Sequence, residues 1–331
     1  MDRTLINNNI IGGGRNDAID VARGIAMMLV IVQHCGAFGQ FILSFHMPLF
    51  FVISGLVIKN KKPQNSFIEE LKNNAKRLLL PQLTLGLFEV IFIEIFGFYE
   101  THTFKALTLA EVFNAIFRWW FLLVMFQVRM VIWLFRKYAL GSKHKVLISV
   151  LLLSALSIFV ELTPHHFYGT AFYPYLTPIA TLFVLGGFYG KKLLLKESNE
   201  KIGFCVAIGL ISLAILSETN NTVYMYKAEF GNMILFLLTA TIGSFCVIRL
   251  SDVCNSKFLS WIGRLSLPIY VLQFHINQYS RAVQAILLDS FGCENVCIKT
   301  ALTILFSVTA CTVIAHAISK NKSISVLFGL K

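Results

Sequence analysis

The sequence predicts an all-α fold, a polytopic membrane helical bundle of about ten transmembrane helices with both termini cytoplasmic. Three observations predict it. Apolar runs of membrane length recur from residue 17 to residue 318. Of 331 residues, 56% are hydrophobic and only 14% charged, where a soluble domain carries about a quarter charged. Lysine and arginine, finally, gather in every second loop.

Taken in order, residues 1–16 are polar, with an Asn run and Gly12-Gly13-Gly14, and read as a mobile cytoplasmic tail. No Gly-Lys-Ser/Thr follows, so the glycines form no phosphate loop. Apolar segments follow near 17–37, 41–58, 78–98, 117–135, 146–161, 172–190, 202–217, 231–249, 265–281 and 298–318. The second is short and contains Pro48, which points to a break or kink. Pro268, Gln273, His275 and Asn277 interrupt the ninth. Residues 17–320 form a single membrane domain, and 321–331 a second cytoplasmic tail. The first apolar run contains Arg23 and lacks a small-residue cleavage site, so it spans rather than serving as a cleaved signal.

Orientation follows from the loops. Lys59, Lys61, Lys62, Lys72, Lys76 and Arg77 lie between segments two and three. Arg136, Lys137, Lys143 and Lys145 follow segment four, and Lys191, Lys192, Lys196 and Lys201 follow segment six. Arg249, Lys257 and Arg264 follow segment eight, while Lys320, Lys322 and Lys331 end the chain. The alternate loops carry only Lys105, Arg118, Lys227, Arg281 and Lys299. The net charge of +12 is thus a record of orientation and does not indicate nucleic acid. Seven cysteines, an odd number lying mostly in apolar runs, argue against a disulfide framework, and the spacing of Cys293 and Cys297 establishes no bond or metal site. No metal-ligand motif or dinucleotide fingerprint occurs, and no metal is expected.

Residues 20–55 concentrate polar groups that a helix facing lipid would not keep: Asp20, Arg23, His34 and His46. Asp20 and Arg23 are three apart and share a helix face. His34 lies eleven residues beyond Arg23, on the same face and about 16 Å along the axis. Arg23 then sits in the inner half of the first helix, His34 in the outer half, and His46 just across the turn. Imidazole removes a hydroxyl proton near neutral pH, whereas guanidinium acts through charge and hydrogen bonds. Each residue also has a structural alternative: an interhelical bond for His34, a helix-start contact for His46, and a mutual ion pair for Asp20 and Arg23.

The cations Lys72, Lys76 and Arg77 suit either anionic lipid head groups or the phosphates of a nucleotide thioester. Arg129, deep in segment four beside Gln127, needs a buried partner or a ligand; Glu89 and Glu94 are candidates for the first. Trp119 and Trp120 fit an interfacial aromatic belt.

These motifs resemble the acyltransferase-3 family. Asp20-Val21-Ala22-Arg23-Gly24, the ten residues between Arg23 and His34, and the run from Phe45 to Gly55 (FHMPLFFVISG) are similar to its first two helices. Lys76–Pro81 (KRLLLP), Trp119–Leu123 (WWFLL) and Ile262–Tyr270 (IGRLSLPIY) resemble later landmarks in the same order. The resemblance implies an integral membrane O-acetyltransferase of the bacterial plasma (inner) membrane, of the surface-polysaccharide or fucose 4-O-acetylase-like kind. It further implies acetyl-CoA as the donor co-substrate and a carbohydrate or lipid-linked glycan as acceptor. His34, Arg23, His46 and Asp20 would be the catalytic set, with Lys76, Arg77 and Arg129 binding CoA. Two departures stand out: Asn74 occupies the place of the first arginine of a two-arginine motif, and Gln273 that of a late histidine, with His275 two residues beyond. The residues also fit a transporter or flippase of a lipid-linked saccharide, with the buried polar groups lining its path.

The orientation is checked by cysteine labelling from outside, which should reach engineered sites near residue 165 and miss those near residue 195. The reverse pattern would invert the bundle.

Overall fold

The computed structural model describes residues 17–101, 108–117, 119–163, 172–195, 201–254, 256–290 and 295–330. Among these the chain is helical, with one isolated antiparallel bridge between Tyr224 and Glu229 and no strand. Two compact units emerge. The first takes in the described parts of Met1–Val57, Val184–Val223 and Gly231–His316; the second those of Ile58–Phe183, Tyr224–Phe230 and Ala317–Lys331.

The first unit opens with α1 (Asp17–His34), α2 (Gly39–Leu43) and α3 (His46–Leu56). In the second lie α4 (Phe67–Asn74), α5 (Leu80–Thr101), α6 (Leu109–Ile116), α7 (Trp120–Tyr138) and α8 (Lys143–Leu162). Helix α9 (Thr177–Leu194) returns the chain to the first unit, which continues through α10 (Lys201–Thr219), α11 (Met233–Val253), α12 (Lys257–Arg264), α13 (Ser266–Ser290) and α14 (Val296–Lys320). The short α15 (Lys322–Leu327) ends the described chain.

Each apolar segment expected from the sequence holds a helix. Among the described residues, five stretches are long and apolar enough to cross a membrane: Gly39–Leu56, Lys143–Leu162, Ile202–Thr219, Met233–Val253 and Val296–Lys320. Trp119 departs from the expected interfacial belt, being only 5% exposed. Cys293, Lys105 and Arg118 lie outside the described residues.

Two prolines shape the backbone near the polar residues. The segment expected at 41–58 breaks at Ser44–Phe45, upstream of Pro48, and Phe45 leaves the helical region with φ −144°. Pro48 then falls in the first turn of α3, where its missing N–H would have had no helical partner. Further on, Ala75–Leu79 winds as a π turn just before Pro81. Proline cannot donate to the carbonyl four residues back and its ring crowds that carbonyl, so a widened turn relieves the clash.

Glycines let the helices of the first unit touch backbone to backbone. A Cβ on Gly24 of α1 would overlap the Leu259 carbonyl of α12, and one on Gly263 of α12 would overlap the Asp20 carbonyl of α1. The two glycines thus license one crossing from both sides. The α3–α9 contact repeats the device, with Gly55 against the Val184 carbonyl and Gly187 against the Val52 carbonyl.

The Gly24–Gly263 crossing generates a direct stability test. Gly263→Ala should lower thermal stability in detergent by about 1–3 kcal/mol, because the methyl group must displace backbone. Gly203→Ala, with nothing within 4 Å of the added methyl, should leave the melting point unchanged or raise it. Equal losses in both would remove the crossing's special role.

Candidate active site

Helix α1 is unbroken from Asp17 to His34, so Arg23 and His34 occupy one rigid element at the predicted spacing. Asp20 is 1% exposed and accepts a hydrogen bond from Arg23 Nη1 at 3.2 Å. The Arg23 side chain keeps 27% of its surface exposed. Asp20 is thereby fixed twice, by its carboxylate to Arg23 and by its backbone carbonyl packed beneath Gly263.

His34 closes α1, half-buried, with its ring edge-on to Phe274 of α13 at 6.5 Å and 88°. His46 opens α3 and is buried. Its Nδ1 lies 2.8 Å from the Ile42 carbonyl oxygen. A carbonyl only accepts, so Nδ1 carries the hydrogen, and the neutral ring keeps its lone pair on Nε2.

The break between α2 and α3 is what turns His46 into this position, and polar side chains brace it. Gln40 Nε2 donates to the Ser217 carbonyl at 2.8 Å and also to the Asn220 carbonyl, while Gln40 Oε1 accepts from Thr222 Oγ1 at 2.8 Å. Asn220 Oδ1 in turn accepts from the Asn221 and Asn232 N–H groups at 2.9 and 2.7 Å. On the other side of the break, Thr239 Oγ1 lies 3.4 Å from the Ser44 carbonyl, and Phe45 packs so tightly on Gly243 that no Cβ fits there.

Lys72, Lys76, Arg77 and Arg129 belong to the second unit. The first three are exposed, Lys76 and Arg77 within the π turn, and Arg129 is half-buried on α7. Near Arg129, Gln127 is engaged at both ends of its amide, donating to the Phe172 carbonyl at 2.5 Å and accepting from Thr177 Oγ1 at 2.8 Å. Glu89 is buried on α5, and the side chain of Glu94 lies outside the described residues. Asn74 explains its own departure from the two-arginine pattern. It is 5% exposed, and its Nδ2 turns back to the Glu70 carbonyl and Glu70 Oε1 at 2.9 and 3.0 Å, a local bracing role.

On α13 the two late polar residues separate as a 200° rotation requires. Gln273 is buried and accepts from Asn277 Nδ2 at 3.2 Å, whereas His275 is half-buried with its ring 5.6 Å from Phe274.

One buried charge escaped the sequence reading. Arg249, counted there among loop cations, lies inside α11 at 1% exposure and is the largest fully buried side chain described. Its Nη1 donates to the Leu194 carbonyl at 3.2 Å and to Asp252 Oδ2 at 3.3 Å. The readable signal was Arg249-x-x-Asp252, a helical i, i+3 ion pair that mirrors Asp20-x-x-Arg23. The cations left in the following connection are Lys257 and Arg264.

Compared with known proteins, the acyltransferase-3 family model, described as an acyltransferase domain, matches residues 16–319, nearly the whole chain. No curated protein and no solved structure matches.

The Arg249 pair is open to a stability measurement. Arg249→Ala strips a buried carbonyl and Asp252 of their donor and should cost about 3 kcal/mol. The exposed Arg264→Ala should stay within about 0.5 kcal/mol in the same thermal assay.

Proposed function

The chain belongs to the acyltransferase-3 family, and on that footing we propose that this membrane acyltransferase moves an acetyl group from cytoplasmic acetyl-CoA to a carbohydrate hydroxyl. The acceptor is a cell-surface polysaccharide or its lipid-linked precursor, and the setting is a bacterial inner membrane with about ten spans and both chain termini inside. The observation that carries this reading is the polar pair of ends on α1: Asp20–Arg23 at one and His34 at the other.

In this mechanism His34 takes the proton of the attacking hydroxyl as its oxygen adds to the thioester carbonyl. The tetrahedral adduct then expels the CoA thiolate, which leaves as the thiol with that proton. The imidazolium formed between the two steps sits at a helix C-terminus, where the last carbonyls carry partial negative charge. Alternatively His34 carries the acyl group itself before the hydroxyl attacks. In either course His46 offers Nε2 to an acceptor hydroxyl, since Ile42 holds its other nitrogen. Arg23, positioned by Asp20, stabilises negative charge on the donor or the adduct. Lys76, Arg77 and Arg129 hold CoA phosphates as cations. Family membership favours this reading over a transporter.

The test uses purified protein with acetyl-CoA and glycan. His34→Ala should cut transfer at least about a hundredfold while the protein still folds. Arg23→Lys should restore only part of the activity of Arg23→Ala, because lysine keeps the charge without the fork. Arg77→Ala should weaken CoA binding by about 1–3 kcal/mol, and His46→Ala should instead impair acceptor use. Near-normal turnover by a folded His34→Ala variant would make that histidine structural; loss of CoA binding by His46→Ala, with Arg77→Ala unaffected, would reverse the division of labour.

A further inference from the structure

Helix α13 places Gln273, Asn277 and Ser280 at spacings of four and three, on one face. All are buried, at 1%, 3% and 0% exposure. Asn277 spends its Nδ2 on Gln273, yet its Oδ1 accepts no hydrogen bond although it is sealed from solvent. Ser280 Oγ lies 2.9 Å from Ser307 Oγ of α14, and Cys35 Sγ lies 3.9 Å from that same Ser307 oxygen.

This seam has a definite place along α1. Cys35 directly follows His34, and Phe274, whose ring meets His34 edge-on, lies three residues before Asn277. At the other end of α1, α12 crosses at Asp20 and Gly24. The polar face of α13 is therefore level with His34 and remote from Arg23.

A helix needed only for packing would carry apolar side chains here. An amide carbonyl kept from water without a donor is destabilising, so its presence beside His34 calls for a donor that the described protein does not supply. We infer that Gln273 and Asn277 are acceptor-binding residues, a hydroxyl-recognising seam beside His34 that holds the sugar ring to be acylated. The inference rests on the acyl-transfer reading above. Vicinal sugar hydroxyls both donate and accept, as do side-chain amides, so one ring can satisfy Asn277 Oδ1 and bond Gln273 together. Phosphates and thioesters only accept, and leave Asn277 Oδ1 as it stands.

The experiment measures transfer from radiolabelled acetyl-CoA to alkali-de-O-acylated surface polysaccharide by membranes containing the full chain. Asn277→Leu should raise KM for the polysaccharide about tenfold while KM for acetyl-CoA moves by less than about twofold. Its melting temperature should change little, because leucine removes one orphan carbonyl at similar volume while leaving Gln273 Oε1 without its donor. Asn277→Thr keeps an acceptor oxygen and should show a smaller rise, and it carries the test if the leucine variant does not fold. A fall in kcat or melting temperature with both KM values unchanged would make the seam a packing device and overturn the inference. A rise confined to acetyl-CoA would overturn it in favour of the amide N–H groups of the pantetheine arm. Wild-type membranes that transfer nothing would instead overturn the acyl-transfer reading, and the seam's sugar with it.

Discussion

The backbone contact between α1 and α12 is the constraint on which the first unit depends. Gly24 and Gly263 sit across from each other's helix, and each lets a carbonyl of the other chain segment approach where any side chain would collide. Between helices in lipid there is little hydrophobic gain from association, so close van der Waals packing carries the contact. Here it also fixes chemistry. The carbonyl beneath Gly263 is that of Asp20, whose carboxylate holds Arg23, and the unbroken α1 carries that placement forward to His34. The family landmark around Ile262–Tyr270 thus has a physical reading: its glycine exists for the helix that bears the catalytic candidates.

Departures from regular helix lie where polar chemistry is concentrated. The break at Ser44–Phe45 precedes His46, and the π turn at Ala75–Leu79 presents Lys76 and Arg77. Backbone groups freed within a membrane must find partners inside the protein. At the first break Thr239 faces the Ser44 carbonyl, while Gln40 on the helix before it satisfies the Ser217 and Asn220 carbonyls, so the irregularity is braced on both sides. A proline stands just after each irregularity, which ties the distortion to covalent geometry.

Buried polar groups differ in how they are held. Arg249 is held through Nη1 by a carbonyl and a carboxylate, and Asn74 by both the backbone and side chain of Glu70; these brace. His46 is held on one nitrogen, which defines the other as the site of proton uptake. Asn277 is satisfied through its nitrogen while its oxygen stays without a donor. The same side-chain chemistry braces in one place and leaves a group open in another, according to how many of its bonds the protein itself completes.

The sequence by itself determined the helical class, the order of the helices and the family, because apolar runs, loop charge and motif spacing are local quantities. It also determined that Asp20, Arg23 and His34 share a face, since helical periodicity alone requires it. Tertiary structure decided the rest. That Arg249 is a buried ion pair, that Asn74 turns inward, and that the kink precedes Pro48 all depend on which neighbours pack against them. The tautomer of His46 depends on a carbonyl four residues away across a break no periodicity reveals. The seam of Gln273 and Asn277 gains meaning only from Phe274 and Cys35 bringing it level with His34, a contact between residues some 240 positions apart (His34 and Phe274) that one chain read in order cannot show.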